Sequence, residues 1–363
     1  MSAEPDRPQP AANRLVSVDA IRGIAALSVV MGHSLEEAIR LLPGSSAVRA
    51  GVSAVVVEYC NFGRIGVVAF FLVSGYVIPF SFSHRNPLRS FVIARFFRLY
   101  PAYWVSIAGA ILIALILGSQ RPPPAMIAAN ITMIQAVLHQ PNLIGVYWTL
   151  FYELVFYGLC FLAFTAKCLE SPRYLLAVVI VLCLLGSLSA GARQAGLAHE
   201  PPIGLFVFLA MMHLGTLARL SDRGDGAMAT QCYRGGLLIV LLAAGPIVSV
   251  GFIQHASNER MIADVTGLYA GLALFLLLRS RPAVATPETR FLGKISYSLY
   301  LFHPLCLVIA VAAATRIAAP FDAVFVVLAI PLGAIAVAAL VQHLVEAPAN
   351  RWGKVVRQRV LGA

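Results

Sequence analysis

The chain has 363 residues, 60% of them hydrophobic and 12% charged, with a formal net charge of +11. A soluble globular domain carries about 25% charged residues, so this composition excludes a soluble enzyme or binding module and indicates an all-α polytopic membrane bundle. No polar linker interrupts the apolar runs, so one membrane domain over 15–345 is expected, between a cytoplasmic tail at 1–14 and another at 346–363.

In chain order, spans are expected near 15–39, 62–82, 99–118, 148–165, 173–191, 203–220, 235–253, 262–279, 296–315 and 322–344. The first follows a polar start and lacks a small-residue cleavage site followed by a soluble body, so it reads as a retained span rather than a signal peptide. The stretch 125–138 is short for a span and fits a re-entrant or interfacial helix better. Leaving it out gives about ten transmembrane helices and puts the basic loops His84–Arg98, Lys167–Arg173, Arg219–Arg234, Arg279–Lys294 and Arg351–Arg359 on one side. The positive-inside rule makes that side cytoplasmic, with both termini inside a plasma (bacterial inner) membrane. The net charge is therefore an orientation signal, and no nucleic-acid partner is expected.

Ionisable residues inside spans mark function because they are costly there. Arg22 and His33 lie in the first span, eleven residues apart, hence on one helical face and about 16 Å apart along the axis. This register suits an anion-holding group at one depth and a proton-handling group at another. Asp19, three residues before Arg22, reads as its neutralising partner. The first inner loop carries Arg85, Arg89, Arg95 and Arg98, the last two on an amphipathic segment entering the third span. Arg95 and Arg98 share a face at i, i+3, and a guanidinium fork matches phosphate oxygens. Such arginines also pair with lipid headgroups and enforce topology. Glu153 sits among aromatic residues at the start of the fourth span, a candidate acid, base or orienter of an imidazolium. His303 is intramembrane beside Pro304, whereas His139, His199 and His255 read as surface residues. The six cysteines (Cys60, Cys160, Cys168, Cys183, Cys232 and Cys306) show no CxxC spacing and read as structural, with no metal site expected.

Several of these segments together resemble the acyltransferase 3 family of integral membrane O-acyltransferases. They are Asp19-Ala-Ile-Arg22-Gly with His33 (the family's Arg/Lys-x10-His pattern), Gly66-Val-Val-Ala-Phe-Phe-Leu-Val-Ser74-Gly75-Tyr76, and Arg95-Phe-Phe-Arg98-Leu-Tyr-Pro101. Trp148-Thr-Leu-Phe-Tyr-Glu153, Ile295-Ser-Tyr-Ser-Leu-Tyr-Leu-Phe-His303 and Val345-Glu346-Ala-Pro348 follow in family order. Tyr76 stands where phenylalanine is usual, and the last motif lacks its common arginine before Pro348.

The resemblance implies a ten-span enzyme moving an acyl group from cytosolic acyl-CoA, acetyl-CoA by default, to a hydroxyl of a carbohydrate or glycolipid acceptor of the envelope or of secretion. It implies no permanently bound cofactor. His33 would be general base or transient acyl carrier, with Glu153 as a second catalytic group. Arg22, Arg95 and Arg98 would hold the donor's phosphates, with Asp19, Ser74, Gly75, Tyr76, Trp148 and His303 supporting them. A transporter or flippase for a lipid-linked sugar or anion is the alternative, since intramembrane ionisable residues also mark proton pathways. Against it, no pair of Gly/Pro-broken spans stands at corresponding positions of two halves. A scaffold without turnover would leave the arginine cluster and the Arg22–His33 register unexplained.

Overall fold

Long apolar runs in a bilayer must satisfy their backbone groups internally, and the helix does so within one segment. The computed structural model describes residues 10–41, 47–82, 86–118, 120–197, 202–252, 258–317 and 322–361. They form thirteen α-helices: α1 (Pro10–Leu41), α2 (Ala47–Ser53), α3 (Phe62–Val77), α4 (Pro87–Ile116), α5 (Pro124–Ile131), α6 (Trp148–Thr165), α7 (Pro172–Gln194), α8 (Ile203–Arg223), α9 (Ala227–Phe252), α10 (Asn258–Leu278), α11 (Pro287–Ile317), α12 (Asp322–Val341) and α13 (Ala347–Leu361). Ten helical stretches among the described residues are long and apolar enough to cross a membrane. These are α1, α3 with the turns around it, α4, α6, α7, α8, α9, α10, α11, and α12 continued into α13.

Helix starts follow local chemistry. Proline occupies the first position of α4 and α7, where its missing N–H is no loss. The side chains of Asn61 and Ser171 accept from the backbone N–H groups of Arg64 and Tyr174. The left-handed Gly224 (φ 78°) closes α8.

Between helices in lipid, association rests on close packing and interhelical hydrogen bonds rather than on water exclusion. The centre of the bundle is α8, buried over 78% of its apolar window against 33% for α7 and for α9. It crosses α3 at a reciprocal glycine contact: a Cβ on Gly75 would strike the Met212 carbonyl, and one on Gly215 would strike the Leu72 carbonyl. The Thr216 hydroxyl donates to the Gly75 carbonyl at 3.0 Å across this crossing. Helix α1 meets α11 the same way, with Gly23 against the backbone of Gly293 and Gly293 against the Asp19 carbonyl. At the opposite end from the basic loops, Arg64 pairs with Asp264 at 2.9 Å and the Asn61 amide donates to the same carboxylate at 2.6 Å, tying α3 to α10.

Three expectations are refined. The 125–138 segment holds only the eight-residue α5, followed by turns. It is held against α4 by Tyr100, Tyr103 and Trp104, which donate to the carbonyls of Thr132, Asn130 and Ile131. Several spans begin earlier than their apolar cores, α4 at Pro87 and α11 at Pro287, because charged amphipathic turns continue the helices beyond the hydrocarbon-like stretch. The expected C-terminal tail is itself helical as α13, with Gly353 packed on Phe97 of α4. Arg85, His199 and His255 lie outside the described residues, and His139 is exposed on its loop.

Candidate active site

A cavity of about 110 Å³ opens among α1, α3, α4, α6 and α11. Its polar wall includes Arg22, Ser74, Arg95, Arg98, Glu153 and Tyr300. The spacing that put Arg95 and Arg98 on one face does bring both to this wall, but their guanidinium groups are differently occupied. Arg98 is ion-paired with Glu346, lies over the Tyr297 ring at 5.3 Å, and is only one-quarter exposed. Glu346, 2% exposed, also accepts from the Ser298 backbone N–H at 3.1 Å and from its hydroxyl. Arg95 lies over the rings of Phe91 and Tyr157 and donates to the Ser81 hydroxyl at 3.0 Å, while its buried Nε has no partner. Glu153 accepts from the Tyr157 hydroxyl at 2.6 Å. Arg22 meets Asp19 only loosely, at 3.9 Å.

His33 stands three turns further along α1 and does not line this cavity. Its ring stacks on that of His303 of α11, centroids 5.3 Å apart and planes within 18°. The carboxylate beside it is Glu36, 3.6 Å from Nδ1, not Glu153. His303 is fully buried, with Nδ1 2.8 Å from the Tyr300 carbonyl. A carbonyl only accepts, so Nδ1 carries the proton and Nε2 is left with a bare lone pair. That Nε2 is buried without a partner. Pro304 explains why the carbonyl is free: with no N–H, it cannot make the helical bond back to residue 300. Tyr300 joins the two regions, since it lines the cavity, accepts from the Thr149 hydroxyl at 2.9 Å and has its ring centroid 5.9 Å from that of His303.

A second basin of about 370 Å³ lies at the end carrying the basic loops, walled by Val16, Asp19, Arg22, Arg98, Arg290, Gly293 and Lys294. Arg22 and Arg98 belong to both walls. In order from the basic end, the basin is followed by this arginine waist, the inner cavity and then the histidine pair.

The sequence profile of an acyltransferase domain matches residues 15–342, most of the chain. The chain belongs to the acyltransferase 3 family. Acyltransferase MdmB of Streptomyces mycarofaciens is 24% identical over 324 residues, covering 80% of this chain and 78% of that protein. No solved structure matches the chain.

The protein is thus a membrane acyltransferase, and the transporter and scaffold readings give way to that assignment. Of the residues picked out beforehand in this acyltransferase, Arg22, Ser74, Arg95, Arg98 and Glu153 meet at the cavity, and His33 meets His303. Gly75 and Tyr76 serve packing: the Tyr76 hydroxyl donates to Asp222 at 3.0 Å, a bond that phenylalanine could not make. Trp148 stacks edge-on with Phe71 and Tyr152 rather than facing the cavity. Sequence reasoning did not foresee that Glu36 lies beside His33, that Glu346 pairs with Arg98, that Tyr300 touches His303, or that Arg290 and Lys294 wall the basin. Glu36 had a visible signal, its i, i+3 spacing from His33; the partnership of Arg98 with Glu346 spans 248 residues and had none.

Proposed function

We propose that this acyltransferase takes an acyl group, acetyl first among them, from acyl-CoA on the cytoplasmic side and delivers it to a hydroxyl of an envelope or secreted carbohydrate acceptor. The basic end is then cytoplasmic, with both termini inside the inner membrane. One arrangement supports the reading: a cationic basin and an inner cavity share Arg22 and Arg98, and the stacked pair of His33 and His303 lies beyond the cavity, in contact with its wall residue Tyr300. Cations suit the phosphates of coenzyme A, and an imidazole suits proton transfer from an alcohol.

In the direct route, the His33 imidazole accepts the acceptor's hydroxyl proton as the oxygen attacks the thioester carbonyl. The carbon–sulfur bond breaks, and the thiolate leaves as coenzyme A after taking a proton. In the two-step route, the imidazole nitrogen attacks the thioester carbonyl and expels the thiolate, and the acceptor oxygen then attacks the acyl-imidazole, breaking the carbon–nitrogen bond and giving its proton to the freed imidazole. His303, its protonated Nδ1 fixed on the Tyr300 carbonyl, positions the His33 ring by stacking. Glu36 orients the imidazolium that the direct route forms. Glu153 works at the donor end with Arg22 rather than beside His33.

The test is transfer of isotopically labelled acetyl from acetyl-CoA to lipid-extracted and polysaccharide fractions in vesicles carrying the protein. His33→Ala should lower transfer by roughly 10²- to 10⁴-fold with unchanged amounts of inserted protein. Activity within a few-fold of the parent would remove His33 from the chemistry.

A further inference from the structure

We infer that Arg290 and Lys294 form the subsite for the phosphorylated nucleotide end of the donor, selecting coenzyme A over its analogue lacking the ribose phosphate. This rests on the acyl-CoA reading above and assigns two residues outside every motif that carried the family resemblance.

The first observation is charge balance. Four basic side chains and one carboxylate, Asp19, wall the basin at the basic end. Glu346 already holds Arg98, and Asp19 lies at 3.9 Å from Arg22. Arg290 and Lys294 are exposed, and neither makes an ion pair among the described residues. The acid of the same helical turn, Glu288, is not part of the basin wall.

The second observation is their position on the helix. Arg290 and Lys294 are an i, i+4 pair of like charge, which opposes helix stability. Arg290 also lies in the opening turns of α11, where the helix dipole favours anions and disfavours cations. A phosphate held between the two side chains relieves their repulsion and accepts charge-assisted hydrogen bonds from both.

The third is placement. The glycine contact of Gly23 with Gly293 sets α1 and α11 backbone to backbone. That crossing brings Arg290 and Lys294 to the same basin as Arg22, the residue that also faces the inner cavity. A donor with its nucleotide in the basin has its flexible arm directed past the arginine waist and its thioester towards Tyr300 and the histidine pair. Phosphate headgroups of anionic lipids offer the same chemistry at the same depth, so the experiment separates the two sources.

The full-length protein in phosphatidylcholine nanodiscs is titrated with coenzyme A, 3′-dephospho-coenzyme A and pantetheine. The parent should bind coenzyme A at least tenfold more tightly than the dephospho form, and pantetheine most weakly. Arg290→Gln with Lys294→Gln should remove the difference between the first two while the thermal unfolding temperature holds or rises. A second measurement needs no variant: acetylation of Lys294 by an amine-reactive ester, read by mass spectrometry, should be blocked by coenzyme A and not by the dephospho form. If the double variant keeps the parent's preference, or Lys294 reacts equally with either compound present, the subsite is wrong and the two cations are topology signals. If phosphatidylglycerol nanodiscs protect Lys294 and erase the preference, the basin is a lipid site. Failure of the parent to bind any of the three, or to transfer acetyl from acetyl-CoA, defeats the acyl-CoA reading itself. Transfer with equal affinity for coenzyme A and its dephospho form defeats only this inference.

Discussion

Arg98 and Glu346 show how a residue can matter to an active site without touching substrate. Glu346 is almost fully buried and accepts from three donors: the Arg98 guanidinium, the Ser298 backbone and the Ser298 hydroxyl. Removing one member of a buried pair leaves the other charge uncompensated, a loss of about 3–5 kcal/mol. Glu346→Gln should therefore lower thermal stability by that amount, and replacing both members with apolar residues of similar size should recover most of it. A loss below about 1 kcal/mol would mean that water rather than Glu346 balances Arg98. Arg95 behaves differently, because aromatic rings and a serine hydroxyl hold it rather than a carboxylate. Arg95→Lys keeps the charge and loses the planar fork, so it should raise the KM for acyl-CoA with little effect on stability. The residue types at these positions were legible in the sequence, and so was the face shared by Arg95 and Arg98. Which cation was already neutralised was not, because the pairing is made by folding and not by spacing.

At the scale of elements, the apolar runs reveal the helices because each must be long enough for the bilayer and satisfied within itself. Their ends are less visible. Hydropathy marks the lipid-facing core of α4 near 99, yet the helix begins at Pro87, since its first turns are amphipathic and lie in the polar region at the basic end. The crossings are set by features that hydropathy ignores, such as Gly75 against α8 and Gly293 against α1. Helix α11 carries the most consequential local irregularity. Pro304 withholds an amide hydrogen, and the His303 ring takes the carbonyl thus freed. Pro304→Ala should restore the backbone bond and release the ring. We expect kcat to fall, the KM for acyl-CoA to stay put and thermal stability to hold or rise. A parallel loss of stability and donor affinity would instead mean that the proline shapes the whole helix.

For the whole molecule, ten alternating spans among the described residues place the first turn of α4, the Gly224–Gly226 turn and the Pro282–Thr286 stretch at one end, and α5 with its turns at the other. Single cysteines at Arg89, Asp225 and Thr286 should react with an impermeant thiol reagent only after the membrane is opened. Cysteines at Gln120 and Leu138 should react from outside. Outside labelling at Asp225 or Thr286 would break the span count. The same architecture leaves two polar hollows, the basin and the inner cavity, set one behind the other from the basic end. Arg22 and Arg98 belong to the walls of both. Fixed positive charge in a weakly polarisable surrounding repels protons and metal cations strongly. Glu346 balances Arg98 and Asp19 meets Arg22 only at 3.9 Å, so the charge left at this boundary is chiefly that of Arg22, a barrier to small cations moving from the basin towards the cavity.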